Sequence, residues 1–288
     1  MRKLISILLC FALATACLAG CANPKTDTGT QSDVPEPSSA LKVWCFQAGK
    51  ADAFLFWNEA GAILIDTGES GFGKVILEKL SELGIQRLDA LILTHFDKDH
   101  VGGAKKLLTS IPVDSVLQSN APKPGAEAYE KYLGALREKA IEPITVRESM
   151  ELPLGDAVFT VNPPAQEAYR EDASNNSSLI VTVQHGANRL LFCGDAEDLR
   201  MAEFLGIDPG LCALVKLPHH GQYQATLKEL LTATRPVYAI VTSSDEEPED
   251  AETRELLNRG NVKTFFTRTA PIQIESDGIA LSVQYKND

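Results

Sequence analysis

The sequence predicts an α/β domain whose sheets are covered by helices, and three observations carry that reading. Short β-rich runs interleave with helical periodicities from Leu41 to the end of the 288-residue chain. Most of those runs are continuously apolar rather than alternating, the pattern of strands buried on both faces. Four of them end in compact polar groups: Asp66-Thr67-Gly68, THFDKDH (94–100), Gly194-Asp195 and His219-His220-Gly221. Buried strands deliver their terminal residues to one edge of a sheet, so these groups are expected to converge there as a site.

Taken in order, residues 1–20 have Arg2 and Lys3, an uncharged apolar run and a small-residue end at Leu18-Ala19-Gly20, the form of a secretory signal. Cys21 follows where a bacterial lipobox places its lipid-modified cysteine, so a lipid-anchored, extracytoplasmic protein is expected. Residues 21–40, rich in Pro, Ser, Thr, Gly and Asp, read as a flexible tether with a reach of roughly 25 Å. The folded domain is expected over 41–288.

Within it, LKVWCFQ, AFLFW and AILIDTG read as strands, the last two joined by a hairpin at Asn58–Gly61. Ile76, Leu80 and Leu83 recur at helical spacing until Gly84, and LDALILT is a buried strand. A helix is expected over Gly125–Ala140, with Tyr129, Leu133 and Leu136 on one face. AVFTVNPP, SLIVTVQHG and RLLFCGD read as strands, the last two turning at Gly186-Ala187-Asn188. Helices near Leu199–Leu205 and Ala225–Leu231 bracket the strand LCALVKLP. PVYAIVTS, a helix capped by Gly260, VKTFFT and a hairpin across Ser276-Asp277-Gly278 complete the domain.

Composition is ordinary for a globular protein, 44 % hydrophobic and 23 % charged. Only Cys45, Cys193 and Cys212 of the six cysteines fall in the domain, which is no disulfide framework; Cys193 and Cys212 lie in apolar runs as small buried hydrophobes. The net charge is −12, and loss of Arg2 and Lys3 leaves 25 basic against 39 acidic residues, −14. No Lys/Arg cluster offsets this, so tight binding of long nucleic acid is disfavoured, while a short anionic substrate held by metal is compatible.

The chemistry concentrates in THFDKDH. Imidazole and carboxylate are ligands for Zn, Mn or Fe(II), and clustered carboxylates are costly unless cations neutralise them. His95 with Asp97 could hold one ion, and Asp99 with His100 another. Alone, such a loop is equally a solvated acidic turn. His219, His220 and Asp195, each closing an apolar strand, favour the metal site. The fifth histidine, His185, is expected to be exposed in a hairpin turn.

These motifs resemble the metallo-β-lactamase superfamily, whose HxHxDH signature stands here as HFDKDH. Together with LIDTG, NNSSLIV, LLFCGDAE and LVKLPHHG they look most like the metal-dependent domain of the ComEC/Rec2 DNA-uptake proteins. The resemblance implies an αββα sandwich of two mixed sheets and a site for two divalent ions, Zn or Mn. It implies that His95 and Asp97 bind the first ion, Asp99 and His100 the second, and that Asp195 bridges them. His219 would complete the second ion's ligands with His220 beside it facing substrate, or the two would exchange roles. Asp66 would orient a ligand, and Asn175 falls where relatives carry a further histidine, which would leave the first ion weakly held. An acidic Asp245-Glu246-Glu247-Pro248 stands where a histidine-containing segment is expected.

The implied activity is metal-dependent hydrolysis by hydroxide from an ion-bridging water. A phosphodiester or related ester is the leading substrate, with lactone or amide hydrolysis as alternatives. Asp99 could accept the nucleophile's proton, and Lys216 could meet a phosphate or be a solvated strand-end lysine. A non-catalytic binding lipoprotein with a degenerate site is the rival from another class. An ordinary β-lactamase fits less well, because Asp97 and Asn175 replace two of its three histidines.

Overall fold

In a computed structural model the described residues, 39–286, form two mixed β-sheets packed face to face with helices on both outer surfaces. The expected signal peptide, Cys21 and the tether as far as residue 38 lie outside the described residues.

The first sheet begins with β1 (Leu41–Cys45), β2 (Phe54–Asn58) and β3 (Gly61–Ile65), an antiparallel meander turning at Asn58–Gly61. It continues in parallel through β4 (Leu88–Leu93), β5 (Val113–Gln118) and β6 (Ile144–Thr145). The second sheet repeats the plan. β7 (Met150–Leu154), β8 (Ala157–Asn162), β9 (Ile180–His185) and β10 (Asn188–Phe192) are antiparallel. β11 (Leu214–Lys216), β12 (Tyr238–Val241) and β13 (Lys263–Phe266) then run parallel to β10. The chain finally returns to the first sheet as a hairpin of β14 (Ile272–Ser276) and β15 (Leu281–Tyr285), with β14 antiparallel to β1.

Parallel pairs need long crossovers, and helices supply them. α1 (Gly73–Glu82), α2 (Lys98–Val101), α3 (Ala104–Ser110) and α4 (Glu127–Lys139) belong to the first sheet. α5 (Asp198–Leu205), α6 (Leu227–Thr234) and α7 (Ala251–Arg259) belong to the second. Both faces of the strands are therefore buried, the reason they read as unbroken apolar runs. In β2, Phe54 and Phe56 enter the core between the sheets, while Leu55 packs with Ile76, Leu80 and Leu107 under the helices. Phe56 sits edge-on between Phe159 and Phe192, each 5.0 Å away. Burying a side chain of that size is worth about 1.5–3 kcal/mol.

Three strands escape the hydrophobic pattern. β5 carries Asp114, Ser115 and Gln118, β6 has two residues, and β7 contains Pro153, which is tolerated because β7 is the sheet's edge. His185, expected to be exposed, is buried: its Nδ1 lies 2.8 Å from Ser276 Oγ, where the closing hairpin covers it. Among the described residues the three cysteines, Cys45, Cys193 and Cys212, are free and buried.

Candidate metal centre

Five strand ends meet at one edge. Asp66 follows β3, Thr94 and His95 follow β4, and α2 carries Asp99 and His100. Gly194-Asp195 follows β10, a tight turn after β11 carries His219 and His220, and Thr242 follows β12. These are the carboxyl ends of the parallel strands, where helix crossovers open a crevice. The backbone is bent to present the side chains: Asp66 (φ 56°), His219 (φ 45°) and His220 (φ 55°) are all left-handed. For non-glycine residues this costs about 1–2 kcal/mol each, and such strain concentrates at functional sites. α2 lies close against the loop after β3, where a Cβ on Gly103 would strike the Thr67 carbonyl.

Asp99, His100, Asp195 and His220 form one cluster whose ligand atoms lie within 4.8 Å of one another. Asp195 Oδ2 is 3.1 Å from His100 Nε2 and 3.0 Å from His220 Nε2, and Asp99 Oδ2 is 3.3 Å from His220 Nε2. Donors bound tetrahedrally to a zinc-sized ion lie about 3.3 Å apart, so the spacing fits an ion. The outer atoms are already occupied. His100 Nδ1 meets Asp66 at 2.8 Å, and Asp66 also accepts from the Thr94 amide and hydroxyl. His220 Nδ1 meets Thr242 Oγ1 at 3.0 Å. His95 Nδ1 lies 3.2 Å from Thr94 Oγ1 and 3.4 Å from Ser178 Oγ. By contrast, Nε2 of His95, His100 and His220 and Oδ1 of Asp195 are buried without a well-aligned hydrogen bond, the two close contacts to Asp195 Oδ2 being ion pairs rather than directed bonds. Buried polar atoms are rarely left so, and three inward imidazole nitrogens steadied from behind are the donor set a divalent cation satisfies.

Charge within the cluster follows the same geometry. Burial pushes His95 down to about 3, with neighbouring His100 adding to the shift. Burial opposes protonation of His100 and His220 too, but carboxylates overcome it: Asp195 and Asp66 hold His100 well above its ordinary value, and Asp195, with Asp52 and Asp99, pushes His220 up to about 10. Burial opposes ionisation of both acids, yet the two histidines hold Asp195 well below the carboxylate range, and His220 with His100 brings Asp99 down to about 2. Protons on two imidazoles thus balance acids that a cation would otherwise balance.

Four of the expected site residues stand apart from this cluster. His219 is outside the cluster: its Nδ1 faces Glu197 Oε1 at 3.1 Å, because consecutive left-handed residues send the two rings apart, and His220 takes the inner position. Asp97 is turned away, with Lys123 Nζ 2.5 Å from its Oδ1 and Ser174 on the same oxygen, so it stands 3.8 Å from His95 Nε2. Asn175 also points elsewhere, donating to Glu197 at 2.8 Å. Lys216 is neither solvated nor open to a phosphate, since it is fully buried, ion-paired with Asp52 and donates to the Gly194 carbonyl at 3.1 Å. The acidic segment is partly neutralised, with Lys50 3.5 Å from Glu247 and Arg268 3.8 Å from Asp245.

Asp52 is the residue that sequence reasoning missed. It lies under the cluster, 1 % exposed, pairing with Lys216 and approaching His220 Nδ1 at 3.5 Å. An acid between two alanines ahead of an apolar strand was its only signal. Beside the cluster opens a cleft of about 490 Å³, with Glu197, His219, Asn175 and Asp172 in its wall. Burial and then Asp172 push Glu197 up to about 7, against the lowering effect of Asn175.

Two packed mixed sheets with a histidine-carboxylate cluster at the ends of their parallel strands define a metal-site α/β sandwich. Residues 47–242 match the Metallo-beta-lactamase superfamily, and the chain belongs to it. It is 31 % identical over 227 residues to ComE operon protein 3 of Bacillus subtilis (strain 168), covering 72 % of this chain and 29 % of that protein. To Recombination protein 2 of Haemophilus influenzae it is 29 % identical over 212 residues, covering 72 % of this chain and 25 % of the relative. The chain thus spans under a third of the length of these relatives. Among solved structures, the metallo-beta-lactamase fold protein YhfI from Bacillus subtilis superposes with a TM-score of 0.52 at 14 % identity, covering 79 % of this chain and 96 % of that one, a likeness of fold. Among the described residues no helix is long and apolar enough to cross a membrane.

Proposed function

We propose that the protein is an extracytoplasmic, lipid-anchored metal-dependent hydrolase that uses two divalent ions, Zn or Mn, to cleave a phosphodiester or related ester. The observation that carries this is the set of three buried histidines with Nδ1 engaged and Nε2 bare, facing Asp99 and Asp195. Asp99, His100, Asp195 and His220 would hold one ion. His95, with Asp195 and Asp97, would hold the other once Asp97 is released from Lys123. Bound ions would acidify water and polarise the ester oxygen.

The chain's own residues divide the remaining work. Asp66 and Thr242 fix the rings of His100 and His220, and Lys216 with Asp52 supports the floor. Asp99 is ionised at neutral pH and its side chain is the most open of the four ligands, 19 % exposed, which supports a role in taking a proton from the substrate side. With His220 committed to the cluster, His219 takes the substrate-facing position on the cleft wall. The names of the relatives, ComE operon protein 3 and Recombination protein 2, favour phosphodiester chemistry; the net charge of −12 disfavours a long nucleic acid.

Purified protein loaded with Zn or Mn should hydrolyse bis-p-nitrophenyl phosphate, and His100→Ala should abolish that activity. Turnover of lactones or amides alone would overturn the phosphodiester assignment. One observation favours a non-catalytic binding lipoprotein instead: Asp97 is clamped by Lys123, which leaves His95 without its expected carboxylate. One metal or none per chain by elemental analysis after loading, with no turnover, would decide for that reading.

A further inference from the structure

The cleft beside the metal centre is built for a charge opposite to that of a phosphate chain. Glu171, Asp172, Glu197 and Asp198 line it, and among the described residues no lysine or arginine does. Asp198 is fixed by the amides of Ala225 and Thr226, and Glu197 by Asn175 and His219, so two of the carboxylates are rigidly placed. A second feature is independent of the acids. Gln224 lines the same cleft, is 7 % exposed, and neither its amide oxygen nor its amide nitrogen has a hydrogen-bond partner. A buried amide with both ends unpaired is costly, and a ligand carrying a donor and an acceptor would recover that cost. Tyr223, 47 % exposed at the rim, adds an aromatic face of the kind that attracts cations. The cleft starts next to the ion-binding atoms, because the rings of His219 and His220 are only 6.1 Å apart.

We propose that this cleft receives an organic ammonium group carried by the substrate, so that the ester cleaved at the metal centre is that of an amino alcohol rather than a link in a polyanion. The cleft carboxylates meet the positive charge, the Gln224 carbonyl accepts an ammonium N–H, and the Gln224 amide donates to an ester or hydroxyl oxygen of the same molecule. This rests on the hydrolase reading for the reaction, though not for the binding.

The test compares 2-aminoethylphosphonate with its uncharged isostere propylphosphonate, neither of which can be hydrolysed as an ester, by calorimetry on the metal-loaded protein. The ammonium compound should bind about tenfold more tightly, the scale of one hydrogen bond to a charged group, and the advantage should shrink as salt is raised. It should also fall in the Glu171→Gln/Asp172→Asn double variant, at two exposed sites, and in Gln224→Met. Equal affinities in the unaltered protein, or an advantage indifferent to all these changes, overturn the proposal. Equal binding with ester hydrolysis intact would leave the hydrolase reading standing alone; discrimination without turnover of any ester would do the reverse.

Discussion

The metal centre and the cleft share walls but solve the problem of clustered acids in opposite ways. Asp195 and Glu197 are two residues apart, and His219 and His220 are consecutive, yet one of each pair faces each region. In the centre every acid is nearly enclosed and answered by imidazole or ammonium, with the outer ring atoms fixed by Asp66, Thr94 and Thr242. In the cleft the acids outnumber the cations and remain open to water. An enclosed set of fixed donors suits a small ion of defined coordination, whereas an open acidic wall suits a larger cation that keeps part of its hydration.

The strongest way to break the centre while sparing the cleft is to remove its buried countercharge. Lys216→Met leaves Asp52 unpaired beneath His220 and should cost about 3–5 kcal/mol of folding stability, read by chemical denaturation. Adding Asp52→Asn should recover much of it, because the charge to be buried is then gone. The paired histidines give the sharper contrast: His220→Ala should lower metal affinity at least about 100-fold. His219→Ala should keep the metal and change KM, since its ring faces Glu197. Equal metal loss in both variants would collapse the distinction between the regions. Asp66→Asn keeps the shape but weakens the anchor on His100 Nδ1, and should cost about 10–100-fold in metal affinity by titration.

The division between the regions was only half legible in the sequence. Continuous apolar runs give away strands buried on both faces, and the polar residues that close them mark the edge where a site forms; His95, Asp99, His100 and Asp195 could be read that way. His219 and His220 could not be told apart, because which ring turns inward depends on two successive left-handed residues that no hydrophobic pattern encodes. Asp97 sits correctly in its motif, yet Lys123, 26 residues on, draws it aside. Lys216 looked solvated because a lysine at a strand end usually is. Its partner Asp52 lies 164 residues earlier, in the loop between β1 and β2 of the other sheet, so only the packed sandwich reveals the pair.

The smallest expected effect separates the regions by pH. In the metal-free protein His220 rises from 6.5 to about 10: burial opposes this, and Asp195 with its neighbours outweighs it. The folded state then holds a proton that the unfolded chain has released, so this contribution to stability is full below pH 6.5 and lost as the pH climbs towards 10. Glu197, raised from 4.5 to about 7 by burial and Asp172, gives the same sign in a lower window: stability falls between pH 4.5 and 7. The lower limb should be the shallower, because Glu197 borders an open cleft and solvent screens it. Glu197→Gln should erase the lower limb and keep the upper. Loading with Zn or Mn should erase the upper, since an imidazole that binds metal has already given up its proton. Denaturation midpoints followed across both windows would test this. A single limb that vanishes under either treatment would mean that cleft and centre titrate as one unit.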